Sequence, residues 1–196
     1  MRITGGIARG INLNLPNKGE IRPATDYIRE AVFSSLGDLP VDACVLDVFA
    51  GTGAYAFEAL SRGAKSATLV DKNAAAGTAQ KKNATAVLKA LAAAGTPTPT
   101  IDFRTQDLLK NNVQGLPVCD LIFCDPPWAL WEKPELEKLV DFLTTLIEPA
   151  TSWARIILEA PAGFEHHVPA GWQIAKIIGK KGKDQPQATI LKRIER

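Results

Sequence analysis

A chain of 196 residues with 46% apolar and 22% charged residues can bury a core of its own as one globular unit, which excludes a chain disordered throughout. The opening MRITGGIARG lacks an apolar stretch of signal-peptide length, and no uninterrupted run approaches the roughly 20 residues of a bilayer span, so a soluble, cytoplasmic protein is expected; a monomer is expected separately, since the sequence does not give the oligomeric state. The net charge of +2 is unevenly spread: residues 1–30 hold Arg2, Arg9, Lys18, Arg22 and Arg29 against three acids, residues 176–196 hold seven basic residues against two acids, and the middle is acidic. Basic ends suit a polyanion gripped by its backbone, although Lys-rich termini also serve solubility alone.

In chain order, RITGG and INLNL read as a small hairpin, followed by a helix over 26–36 with Thr25 as its N-cap. Residues 1–38, hairpin and helix, are expected to form an extension that contacts the polyanion, and 39–196 the main domain, within one globular unit. Short apolar runs then alternate with helical patterns: CVLDVF, AYAFEALSRG, SATLVD, an Ala-rich helix closed by Gly95, TIDFR, VCDLIFCD, PELEKLVDFLTTLIE and ARIILEA. Val/Ile/Leu strands separated by helices mean βαβ units and a mainly parallel sheet covered on both faces. The Ala-rich helix reads as scaffold. The stretch WQIAKIIGKKGKDQPQATILKRI breaks the rhythm, since two strand-like runs with no room for a helix between them form an antiparallel hairpin.

Cys44, Cys119 and Cys124 sit in apolar settings without a CxxC pair, so they read as small buried hydrophobes and not as metal ligands. His166 and His167 are adjacent, share no helix or strand face, and read as a surface loop. No metal and no membrane partner is expected.

Ligands of open α/β sheets bind beyond the carboxyl ends of the strands. After the first such strand comes Asp47-Val48-Phe49-Ala50-Gly51-Thr52-Gly53. The glycines permit a tight turn over which a ligand touches backbone. That pattern also satisfies a dinucleotide fingerprint, but Asp47 would repel a pyrophosphate and suits the cationic aminoacyl end of S-adenosylmethionine. The second strand ends in Asp71-Lys72-Asn73, where an acid accepts ribose hydroxyls of either ligand. After the third, Gln106-Asp107 offers a carboxylate for an adenine amine or, equally, a helix cap.

The fourth strand delivers Asp125-Pro126-Pro127-Trp128. An exocyclic base amine is a poor nucleophile because its lone pair is delocalised into the ring. Asp125 and the Pro126 carbonyl can accept its hydrogens and favour a localised lone pair. The prolines fix the turn, and Trp128 can stack on the base.

Together with the N-terminal Arg/Gly segment, Ile21-Arg22-Pro23-Ala24-Thr25-Asp26-x-x-Arg29-Glu30 and these motifs, in this order over nearly the whole chain, the sequence resembles the bacterial small-subunit ribosomal RNA guanine methyltransferases that modify the 2-amino group. The resemblance implies a Rossmann-like class I methyltransferase fold with a seven-stranded sheet, S-adenosylmethionine as donor, and ribosomal RNA as acceptor, within the small subunit or an assembly intermediate. It implies cofactor contacts from Thr25, Asp47, Phe49, Ala50, Gly51, Thr52, Gly53, Asp71, Lys72, Asn73, Gln106 and Asp107. RNA contacts are expected from Arg9, Arg22, Arg29, Lys180, Lys181 and Lys183. A nicotinamide-dependent oxidoreductase explains the glycines and Asp71 but not Asp125 to Trp128. A non-catalytic RNA-binding module is a further alternative, as is the same reaction on an adenine in DNA or another RNA, or on an amide in protein.

Overall fold

The computed structural model describes residues 1–15, 24–111, 113–164, 168–180, 182 and 185–194. Helix α1 (Ala24–Leu36) precedes an alternating series: β1 (Cys44–Val48), α2 (Ala54–Ser61), β2 (Ser66–Asp71), α3 (Ala74–Ala93), β3 (Thr100–Thr105), α4 (Leu108–Asn111) and β4 (Cys119–Cys124). A 3₁₀ turn (Trp128–Trp131), α5 (Glu135–Thr145), β5 (Ala150–Pro161), β6 (Trp172–Gly179) and β7 (Pro186–Arg193) complete it. The sheet order is β3-β2-β1-β4-β5-β7-β6, parallel from β3 through β5, with β7 antiparallel to both neighbours. This is the expected class I methyltransferase sheet with its C-terminal hairpin. Strand order reverses between β1 and β4, which places the crevice at their carboxyl ends.

Alternate residues of each strand feed opposite layers. Val45, Leu121, Phe123 and Ile157 pack with α1, α2 and α3, while Leu46, Val48, Ile122, Ile156 and Leu158 pack with α5. Burial on both faces explains why these strands read as continuous apolar runs. Phe33 of α1 lies 6.2 Å from Tyr55 and 5.4 Å from Phe123, ring to ring. Burying each such ring contributes about 1.5–3 kcal/mol. Cys119 and Cys124 are buried as expected, whereas Cys44 is half-buried.

The N-terminal hairpin is short: Arg2 and Asn12 form an antiparallel bridge, the Ile3 amide donates to the Ile11 carbonyl at 3.0 Å and the Leu13 amide to the Met1 carbonyl at 3.1 Å, and the loop between them is fastened to α2. The Thr4 amide and hydroxyl donate to Glu58 at 2.7 and 2.8 Å, and the Ala8 amide donates to Ser61 Oγ at 2.8 Å. At Gly6 (φ +74°) a Cβ would stand 2.0 Å from the Ser61 carbonyl oxygen, so only glycine allows this approach. α1 begins at Ala24, before the expected start, which puts Thr25 inside the helix instead of at its cap.

Candidate active site

β1 ends in a backbone that sequence alone does not announce. Phe49 has φ +58°, a region bulky residues rarely occupy, and its ring meets Phe142 edge-on at 5.5 Å. The Gly53 amide then donates to the Ala50 carbonyl at 2.7 Å, closing the turn before α2. At Gly53 (φ +77°) a Cβ would come within 2.5 Å of Leu69 Cδ2 and 2.6 Å of Phe57 Cε2. The turn is also held from α3. Gln80 Nε2 donates to the Gly51 carbonyl and Asn83 Nδ2 to the Thr52 carbonyl, both at 3.0 Å. The Ala-rich helix is therefore more than scaffold: two polar residues three apart on its buried face clamp the glycine loop, a signal visible in the sequence but passed over.

Asp47 is 2% exposed and accepts the Ala56 amide at 3.1 Å. Burial pushes its carboxyl well above the usual range, the Ala56 bond works against that, and the charges of Asp125 and Asp71 add to it. Asp71 is half-buried at the end of β2, its two oxygens accepting the Gly51 and Asn73 amides at 2.8 Å each.

A cavity of about 220 Å³ gathers Asp47, Phe49, Ala50, Gly51 and Thr52 with Asp125. Cys124 pairs with Leu158, so Asp125 and Glu159 leave neighbouring strands side by side. Pro126 is buried, Pro127 is exposed with φ −57° and ψ 143°, and Trp128 is half-buried. The Pro127 carbonyl accepts the Leu130 amide at 2.9 Å, which anchors the turn on the 3₁₀ segment.

Sequence reasoning missed Tyr55 and Glu159, which line the same cavity. The Tyr55 hydroxyl donates a short hydrogen bond to Glu159 Oε1, and its ring stacks on Phe123 at 4.7 Å. Burial, then the Glu159 charge, raise the phenol well above its ordinary range, so it stays a donor. Glu159 ends the apolar run of β5 as Asp125 ends that of β4, and that parallel was the available signal.

Arg29, expected at the RNA, is 1% exposed, with its guanidinium on Asp26 at 2.9 Å, on Glu58 at 3.4 Å and on the Arg2 carbonyl, so it ties α1 to α2, and it also lines the cavity that holds Asp47 and Asp125. Gly53, Asp71, Lys72, Asn73, Gln106, Asp107, Pro126, Pro127 and Trp128 stand off the cavity lining. Asn73 caps α3 through the Ala75 amide at 2.9 Å, and Asp107 accepts the Leu109 amide at 3.3 Å, the capping alternative. Gln106 still borders Asp71, donating its amide to the Asp71 carbonyl at 3.2 Å. Arg9 and Lys180 are exposed. Arg22, Lys181, Lys183, His166 and His167 lie outside the described residues, as does the side chain of Thr25. Among the described residues no helix is long and apolar enough to cross a membrane, and no cluster of three or more His, Cys, Asp or Glu suits a metal.

A turn stripped of side chains beside a desolvated carboxylate fits a ligand with a cationic amino-acid end, as S-adenosylmethionine has. Residues 1–182 match the family model described as Conserved hypothetical protein 95. The chain is 39% identical over 182 residues to ribosomal RNA small subunit methyltransferase D of Escherichia coli K12, covering 92% of this chain and 86% of that protein. The solved structure titled "Putative methyltransferase yhhF from Escherichia coli" superposes with a TM-score of 0.69 at 30% identity, over 98% of this chain and 97% of that one. SMU.776 complexed with SAH shares the fold at a TM-score of 0.67 and 14% identity, over 90% of this chain and 52% of that one. The chain belongs to the Conserved hypothetical protein 95 family and has the class I S-adenosylmethionine-dependent methyltransferase fold.

Proposed function

We propose that the protein transfers a methyl group from S-adenosylmethionine to the exocyclic 2-amino group of a guanine in small-subunit ribosomal RNA, presented in the subunit or an assembly intermediate. It acts in the cytoplasm as a monomer, with residues 1–38 extending the RNA-facing surface through Arg9 and Arg22, and the β6–β7 loop contributing Lys180, Lys181 and Lys183. The observation that carries this reading is Asp125, lining one cavity with Asp47 and the Gly51 turn, at the end of a strand that continues into Pro126-Pro127-Trp128.

When bound, S-adenosylmethionine supplies a methyl group made electrophilic by its sulfonium. Asp47 faces the cationic aminoacyl end, and Asp71 accepts the ribose hydroxyls in place of one of its backbone donors. Asp125 and the Pro126 carbonyl accept the two hydrogens of the guanine amine, which turns its lone pair toward the methyl group; Trp128 stacks on the base. The bound cofactor would supply the methyl group and leave as neutral S-adenosylhomocysteine, and the proton that the amine gives up would pass to the Asp125 carboxylate. A nicotinamide oxidoreductase would leave this acceptor pair without a purpose, and thermal shifts with S-adenosylhomocysteine and NADH separate the two. Mass mapping of ribosomal RNA nucleosides from a strain lacking the gene tests the proposal: one 2-methylguanosine should disappear and return on complementation. An unchanged nucleoside profile would overturn it.

A further inference from the structure

At the ends of β1 and β4 away from the catalytic turn, Cys44 opens one strand and Cys119 the other. The register pairs Val45 with Leu121, so Cys44 and Cys119 are one step out of line across the strand pair. Neighbouring strands lie about 4.8 Å apart and rise about 3.3 Å per residue, which sets such Cα atoms about 5.8 Å apart, inside the roughly 4.4–6.8 Å that a disulfide spans. Strict alternation would turn the two side chains to opposite faces. β4 departs from it here: its pairing with β5 shifts register between Cys119 and Leu121, and Asp120 reaches to the strands on both sides, accepting the Cys44 amide at 2.9 Å and the Thr151 hydroxyl at 3.1 Å. Both cysteines therefore pack on the core layer of Leu46 and Ile122, Cys119 fully buried and Cys44 half-buried at its margin.

The two thiols are unequal. The Cys119 thiol and the Ser66 hydroxyl both donate to the Cys44 sulfur. The bond from Cys119 is the main reason that the Cys44 thiol is lowered to about 6; burial and the Asp120 charge oppose it, and Lys65 adds to it. Cys119 moves the other way, raised by the same bond and by burial. At neutral pH Cys44 is thus the thiolate, partly open to solvent, and Cys119 is the thiol lying against it. The thiolate is the form that attacks, and an accessible thiolate backed by a second cysteine is the arrangement of a peroxide-reactive pair. Cys124 is buried and its thiol is raised by that burial, so it takes no part.

We propose that Cys44 and Cys119 form a reversible dithiol site that reacts with hydroperoxides, Cys44 attacking and Cys119 resolving. The Cys44 sulfur attacks a peroxide oxygen; a sulfur–oxygen bond forms as the oxygen–oxygen bond breaks, and the departing hydroxide takes a proton from solvent. The Cys119 sulfur then attacks the Cys44 sulfur, its proton goes to the hydroxide that leaves, and the disulfide closes with release of water. Hydrogen peroxide is reduced to water as the pair of thiols is oxidised, and a small-molecule thiol reverses the change by exchange. The resolving step protects the chain, because Cys44 alone would go on to a sulfinic acid that thiols do not restore. This site is independent of the methyl transfer proposed above.

The test uses the full chain, reduced and then exposed to hydrogen peroxide, with remaining thiols alkylated after unfolding and the cysteine peptides identified by mass spectrometry. A Cys44–Cys119 cross-link should form, dithiothreitol should remove it, and Cys124 should keep its thiol. In Cys119→Ser the reaction should stop at a Cys44 sulfenic acid that dimedone traps, and excess peroxide should carry it to the sulfinic acid. In Cys44→Ser neither remaining cysteine should react while the chain is folded. Without peroxide, iodoacetamide should label Cys44 ahead of Cys119 and Cys124, at a rate half-maximal near about pH 6, where an ordinary thiol needs about pH 8.5. Melting curves show whether each variant folds, and the wild-type map decides the matter by itself if one does not. Peroxide-treated protein in which Cys44 and Cys119 both remain open to alkylation overturns the site, as does a cross-link between other cysteines. Labelling of Cys119 ahead of Cys44 overturns the assignment of attacker and resolver.

Discussion

Glu58 is the buried charge on which the N-terminal segment hangs, and Glu58→Gln measures that. Its carboxylate is fully buried and accepts from Thr4 N and Oγ1 at 2.7 and 2.8 Å, from Arg62 at 2.9 and 3.0 Å, and from Arg29 at 3.4 Å. Glutamine keeps the shape but turns one acceptor into a donor facing other donors, and leaves Arg29 with less compensating charge. Breaking a buried pair costs about 3–5 kcal/mol, and the low end applies because Arg29 keeps Asp26 and Arg62 is partly exposed. For a chain of this size about 1 kcal/mol corresponds to about 2–4 °C, so melting should fall by about 6–12 °C. Circular dichroism melts and urea titration read the loss. Hydrogen exchange at the Thr4 amide should accelerate more than exchange in β1. A melting shift under about 2 °C, or unaltered exchange at Thr4, would refute the reasoning.

Gly53→Ala forces a methyl group against Leu69 and Phe57 at positive φ and should cost about 1–3 kcal/mol while weakening S-adenosylhomocysteine binding; wild-type stability would show that the turn relaxes freely. Because burial raises the Asp47 carboxyl, the folded state holds a proton that the unfolded chain gives up, so this group's contribution to stability falls as pH rises from the ordinary aspartate range. The fall is at most about 1.4 kcal/mol per pH unit. Asp47→Asn should flatten it and raise stability at neutral pH, and melts across pH that superpose on the wild type would contradict this. Asp71→Ala should weaken S-adenosylhomocysteine by about 1–3 kcal/mol, as expected for hydrogen bonds to a charged acceptor, and unchanged calorimetric affinity would remove the ribose from that carboxylate.

The sheet was legible because each parallel strand is buried on both faces: SATLVD and CVLDV read as apolar runs and form β2 and β1 at those residues. The residues at the strand ends followed from the same logic, which led to Asp47, Asp71 and Asp125. What stayed hidden depended on tertiary contacts. Arg29 looked like a phosphate ligand because its charge was visible, while the two carboxylates that bury it lie one beside it on α1 and one on α2. Glu159 was hidden for the converse reason: it lies within β5, with Ala160 and Pro161 beyond it, and the β4–β5 register is what puts it next to Asp125. The positive φ of Phe49 leaves no trace in residue type.

Asp125→Asn tests the central claim most directly, with turnover, cofactor affinity and melting measured on one preparation. The substitution keeps the shape of the turn but sets a donor against the amine's own hydrogens. Methyl transfer to ribosomal RNA should fall by about 10²-fold or more, roughly 2.7 kcal/mol of transition-state stabilisation, with cofactor affinity and melting temperature little changed. Near-normal turnover accompanied by a lowered melting temperature would make Asp125 a structural cap and contradict the account.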